Sequence, residues 1–62
     1  MLKCGETFWD KRNERLLIID GVSRDPKVYH CLSYEIDEFG YSMMVRVLVH
    51  EFELSMMEKE VS

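Results

Sequence analysis

Four consecutive large aliphatics, Leu16-Leu17-Ile18-Ile19, constrain this chain more than any other stretch. Successive side chains of an extended segment point to opposite faces, so such a run puts apolar groups on both sides. It reads as a strand covered on both faces, or as a short buried helix. The shortness of the run, Asn13 before it and Gly21 after it favour a strand over Arg15–Val22. The other segments are read as packing onto this one.

Sixty-two residues make a single domain, 1–62. A chain of this size buries only about 60% of the surface its unfolded form exposes, so its core is a marginal source of stability. The apolar fraction of 47% is too high for a disordered chain. Five Met and seven aromatics are many for so few inner positions, which points to a groove or a second subunit as well as a Met-padded core. Charge is uneven. Residues 1–34 carry six basic and five acidic groups, whereas residues 35–62 carry two and seven. The second half should repel phosphate backbones and suit a basic partner surface.

Two cysteines, Cys4 and Cys31, and an N-terminal stretch without an apolar h-region make a reducing cytoplasm the expected location, with both thiols free. No apolar run approaches the roughly 18 residues of a membrane helix, and no membrane partner is expected.

Taken in order, Gly5–Asp10 is a predicted first strand, and the polar tetrad Lys11–Glu14 is a hairpin turn in which Asn13 tolerates a left-handed backbone. Pro26 marks the next break. Lys27–Asp37 alternates cleanly. Val28, His30, Leu32, Tyr34 and Ile36 form the row expected to face inward, with Tyr29, Cys31, Ser33 and Glu35 opposite. Gly40 allows a turn with positive φ. Tyr41–Val49 alternates again, with Tyr41, Met43, Val45, Val47 and Val49 together, and Leu48 suggests that its end is covered on both sides. The phase then flips, which predicts a helical turn near 49–53 followed by a short strand, with a longer helix as the rival.

The resulting fold class is mainly β: a small SH3-like barrel or curled antiparallel sheet of four to five strands, with a short helical segment near the C-terminus. The layout Gly5-x-x-Phe8-Trp9-Asp10, Arg15-x-Leu17-x-Ile19-x-x-Val22, two alternating strands and an acidic Val49-His50-Glu51-Phe52-Glu53-Leu54 turn resembles small SH3-like barrel proteins of the kind encoded by bacteriophages and mobile elements. That resemblance implies a binding module and carries over no catalytic residue.

Candidate chemistry is sparse. Cys4, His30, Cys31 and His50 are the only soft metal ligands, and the strand neighbours His30 and Cys31 point to opposite faces, so neither a metal nor another cofactor is expected. A Cys–His nucleophile lacks an oxyanion-binding element, and no enzyme activity is expected. Phe8, Trp9, Lys11, Arg12 and Arg15 form the one basic and aromatic cluster, the basis for a nucleic-acid reading. Glu51 and Glu53 share one face if extended, and would present paired charge to Arg or Lys on a partner. Tyr29, opposite the inward row, is expected to be an exposed contact anchor, with Met44 on the same kind of surface. A non-enzymatic protein-interaction module, an accessory or inhibitor protein with an acidic second half, is the favoured function. A homodimer through a strand edge is compatible with it.

Overall fold

In a computed structural model, which describes residues 2–60, the Lys11–Glu14 tetrad turns β1 (Thr7–Asp10) back against β2 (Arg15–Val22). Thr7 faces Ile18 and Trp9 faces Leu16 across that antiparallel pair. The left-handed residue of the turn is Glu14, at φ 50°, not Asn13. Asn13 is held instead by Asp10, whose carboxylate accepts from the Asn13 side-chain amide at 2.8 Å. After the break at Ser23–Lys27 come β3 (Val28–Ile36) and β4 (Ser42–His50), joined by a turn in which Gly40 has φ 86°. Helix α1 (Glu51–Ser55) and β5 (Glu58–Glu60) follow, one or two residues beyond the predicted helical turn.

All pairings are antiparallel, and the five strands form one open sheet in the order β4-β3-β2-β1-β5. β2 lies at its centre, as the aliphatic run required. Its ladder with β3 is interrupted between Ile19 and Gly21, where Asp20 is the extra residue of a bulge.

One face of this sheet is covered. Phe8, Leu17, Ile19, Tyr29, Cys31, Val49 and Leu54 form the core, with Leu2, Val47 and Met57 packed against it. The expected facing of β3 is therefore reversed. Tyr29 is 4% exposed, and Cys31 and Ser33 are fully buried, because the register sets Cys31 across from Ile19 and Ser33 across from Leu17. The row from Val28 to Ile36 lies on the other, open face. The aliphatic quartet is likewise covered on one side only: Leu17 and Ile19 are buried, while Leu16 and Ile18 stay partly exposed. Leu48, expected to be covered, is 62% exposed. Of the row Tyr41, Met43, Val45, Val47 and Val49, Val47 and Val49 reach the core, whereas Tyr41, Met43 and Val45 are exposed. The β3–β4 hairpin extends past the short β1 and past the start of β2, so nothing among the described residues packs on its far end. The molecule is elongated accordingly, 36 × 21 × 21 Å.

This facing has two measurable consequences. Leu17→Ala is expected to cost about 2–5 kcal/mol, most of the stability of so small a domain, whereas Leu16→Ala costs well under half as much. Urea unfolding of the two variants checks this, and equal losses would contradict the one-sided core. Ser33 Oγ is buried and finds no hydrogen-bond partner among the described residues. Removing an unsatisfied buried hydroxyl relieves a desolvation penalty, so Ser33→Ala is expected to raise the unfolding free energy by about 1 kcal/mol, read from the same urea titration.

Candidate functional site: an open apolar face and its hairpin arm

The strands align a cross-strand row on the uncovered face. Trp9 faces Leu16, Leu16 faces Tyr34, and Tyr34 faces Met44. A second row runs Thr7, Ile18, Leu32 and Arg46, and His30 faces Leu48 beyond it. Tyr34 is 41% and Met44 49% exposed, and Trp9, Leu16, Ile18 and Leu32 are partly exposed. The arm continues this surface with Ile36, while Tyr41, Met43 and Val45 are exposed on the opposite side, in the row that leads to Val47 and Val49, and Phe39 is exposed in the turn. Large exposed apolar side chains thus concentrate on the β3–β4 hairpin. Scattered single ones would need no explanation, but a contiguous patch on a small protein marks an interaction surface.

Charges frame the face sparsely. Asp20, in the bulge of β2, draws the Arg46 guanidinium to 3.8 Å from its carboxylate. Trp9 pairs with Glu58 of β5. Lys59 ties β5 to the N-terminal segment, donating to Glu6 at 2.8 Å. That hydrogen bond, together with one from the Lys3 backbone N–H, holds the Glu6 carboxyl below its ordinary range.

The predicted basic and aromatic cluster does not assemble. Phe8 and Trp9 are neighbours on one strand, so Phe8 enters the core while Trp9 lies on the open face. Arg15 is spent on Asp10, its Nε donating at 2.9 Å. Lys11 and Arg12 are exposed in the turn and line a groove of about 610 Å³ with Trp9, Asp10, Asn13, Glu53, Met56, Met57 and Glu58. Two cations there meet three carboxylates, the wrong balance for a phosphate backbone.

Glu51 and Glu53 are both exposed but do not form a pair. They fall in α1, where residues two apart are about 200° apart around the axis. Glu51 borders a second groove, of about 460 Å³, with Lys27, Tyr29, His50, Phe52 and Ser55, while Glu53 borders the first. Tyr29 therefore lines this groove from within the core and is not an exposed anchor. Of the four residues expected to contact a protein partner, Met44 lies on the open face, where Trp9 of the predicted basic and aromatic cluster also lies. The residues that sequence reasoning missed are Leu16, Ile18, Leu32 and Tyr34, and the cue was present in the alternation itself, read with the wrong side inward.

His30 and Cys31 do point to opposite faces, and Cys31 is buried, which pushes its thiol pKa up, while Cys4 is exposed. Among the described residues, no group of three or more His, Cys, Asp or Glu is placed to hold a metal ion. No helix among them is long and apolar enough to cross a membrane. No protein family, curated protein or solved structure matches the chain.

Asp10 is the buried charge that holds the β1–β2 turn. Burial pushes its pKa up, but hydrogen bonds from the Asn13 side chain, Arg15 and the Asn13 backbone outweigh this and leave the carboxyl below its ordinary value. A carboxyl with a depressed folded-state pKa stabilises the fold above its unfolded pKa of about 3.9, and loses that contribution as pH falls through the lower folded value. Asp10→Asn is therefore expected to lower the thermal midpoint at pH 7 and to flatten its decline below about pH 4. Thermal melts of both proteins from neutral to strongly acid pH check this, and parallel curves would count against the role given to Asp10.

Proposed function

We propose that this protein is a non-enzymatic protein-interaction module whose docking surface is the open face of the sheet. The observation that carries this reading is the apolar row Trp9, Leu16, Tyr34 and Met44, aligned across four strands and left uncovered by the chain's own helix. Aromatic and Met side chains of this kind dominate the centres of protein interfaces. The acidic second half favours a partner that surrounds an apolar patch with basic groups. A cytoplasmic accessory or inhibitor protein of the kind that bacteriophages encode fits these features. The likeness to small SH3-like barrels belongs to the same proposal. A meander of consecutive strands, a helical turn and a last strand returned beside the first support it, although the sheet stands open between β4 and β5.

The nucleic-acid alternative loses Phe8 to the core and Arg15 to Asp10. Two measurements separate the readings. A photo-crosslinking amino acid at Tyr34 or at Trp9 is expected to capture one discrete heterologous polypeptide from a bacterial lysate, in competition with unlabelled protein. The same group at Arg24, in the exposed turn away from the face, is expected to capture none. Equal labelling at all three positions would sink the proposal. Titration with short single and double strands at low salt is expected to show no binding at high micromolar protein, and salt-sensitive binding there would favour the alternative.

A further inference from the structure

We infer that the free edge of β4 pairs with β4 of a second copy of this chain, antiparallel and centred on Val45, to form one continuous ten-stranded sheet. The inference goes beyond the proposed docking face. It rests on the backbone of the edge and does not require a heterologous partner.

The β3–β4 ladder shows which backbone groups lack partners. The Asp37 N–H donates to the Tyr41 carbonyl at 2.9 Å, and the Glu51 N–H to the Lys27 carbonyl at 2.7 Å. Between them the register from Val28–His50 to Ile36–Ser42 runs without a shift. Hydrogen-bonded and non-hydrogen-bonded pairs alternate along an antiparallel ladder. Odd-numbered residues of β4 therefore turn their N–H and C=O toward β3. Ser42, Met44, Arg46 and Leu48 turn theirs outward, where the sheet order places no strand among the described residues. All four residues are exposed.

The two edges of the sheet differ in kind. β5 is three residues long and entirely charged, Glu58-Lys59-Glu60, which blocks strand addition. β4 is nine residues long, contains no proline, and has one full charge between Ser42 and Val49. That charge, Arg46, leans back across β3 to Asp20 on β2, away from the edge. A long, flat, apolar edge without a guard is a template for another strand.

The edge is also self-complementary. Its free groups, at 42, 44, 46 and 48, are symmetric about Val45. A two-fold axis there sets Met44 against Arg46 of the second copy and Ser42 against Leu48. An axis at Arg46 would oppose two like charges, which is destabilising. An axis at Val47 would run the pairing into His50, whose Nδ1 is already committed to the Phe52 N–H as the cap of α1. Centred on Val45, the odd-numbered row brings together Met43, Val45 and Val47 of both copies, and the exposed Met43 and Val45 gain apolar neighbours. Seven edge residues are a short junction beside the roughly 800 Å² per partner of a standard interface, so the dimer is expected to dissociate in the micromolar range. Each copy carries a net charge of −4, and added salt is expected to strengthen the association by screening that repulsion.

Sedimentation velocity over a range up to several hundred micromolar tests this, with Met44→Pro as the variant. Proline there removes only an outward N–H, and edge strands tolerate it. The expected result is a reversible dimer in the natural protein, weakened about tenfold or more in the variant, with an unchanged circular dichroism spectrum. A second arm does not depend on that variant folding. Val45→Cys in a Cys4→Ser background places two cysteines at a non-hydrogen-bonded pair, with Cα atoms about 4.5 Å apart, within reach of a disulfide. Oxidation should link this variant rapidly, and Met43→Cys in the same background only slowly. A protein that stays monomeric throughout, or a dimer indifferent to Met44→Pro with Val45→Cys linking no faster than Met43→Cys, overturns the inference. Capture at Tyr34 is read separately, so either idea can fail without the other.

Discussion

One cover for a two-faced apolar sheet is the constraint behind this structure. The described chain supplies a single five-residue helix and a short N-terminal segment to bury against the strands. Fully burying a Leu, Ile or Val is worth about 1.5–3 kcal/mol, so whichever face receives Leu54 becomes the core. That choice is made at His50. Its imidazole Nδ1 accepts the Phe52 N–H at 3.0 Å, ends β4 and starts the helix immediately after Val49. Leu54 then joins the cluster that holds Val49, Tyr29 and Phe8. The opposite face keeps Trp9, Leu16, Ile18, Leu32 and Tyr34 because no further segment among the described residues reaches it.

This division explains which features were legible in the sequence. Strand positions were, because period-two alternation and the breaks at Lys11–Glu14, Pro26 and Gly40 are local signals. β2 has the bounds its aliphatic run and Gly21 suggest, and the helical turn near the C-terminus appears where the phase flips. The inward side of β3 was not legible. Both of its rows contain large side chains, and the choice between them depends on a helix about twenty residues later. Alternation defines two faces without ranking them. Glu14 rather than Asn13 adopts positive φ for a similar reason: Asn13 is recruited by Asp10, a contact that only the paired hairpin creates.

The candidate site divided along the same line. The exposure of Met44 was legible because it needs only local alternation. Tyr29 was misplaced because its exposure hung on the choice of core. The Phe8–Arg15 cluster failed by strand geometry: adjacent residues separate to opposite faces, and a carboxylate two residues from Phe8 captures Arg15. Glu51 and Glu53 would have shared a face in a strand, and the helix separates them.

The edges carry the last step. A sheet of this size can close on itself, guard its edges or use them. β5 is guarded by its charges and by the Glu6–Lys59 pair. β4 has Arg46 in the position where a guard would stand, but Asp20 holds it over the sheet. An ion pair at 3.8 Å between exposed groups is weak, so it biases Arg46 and does not lock it. Alternation from Leu16 and Ile18 puts Asp20 on that side, and the bulge leaves it without a cross-strand partner in β3. A single extra residue in β2 thus links the two surfaces: it draws the charge away from the edge and sets it at the border of the apolar row.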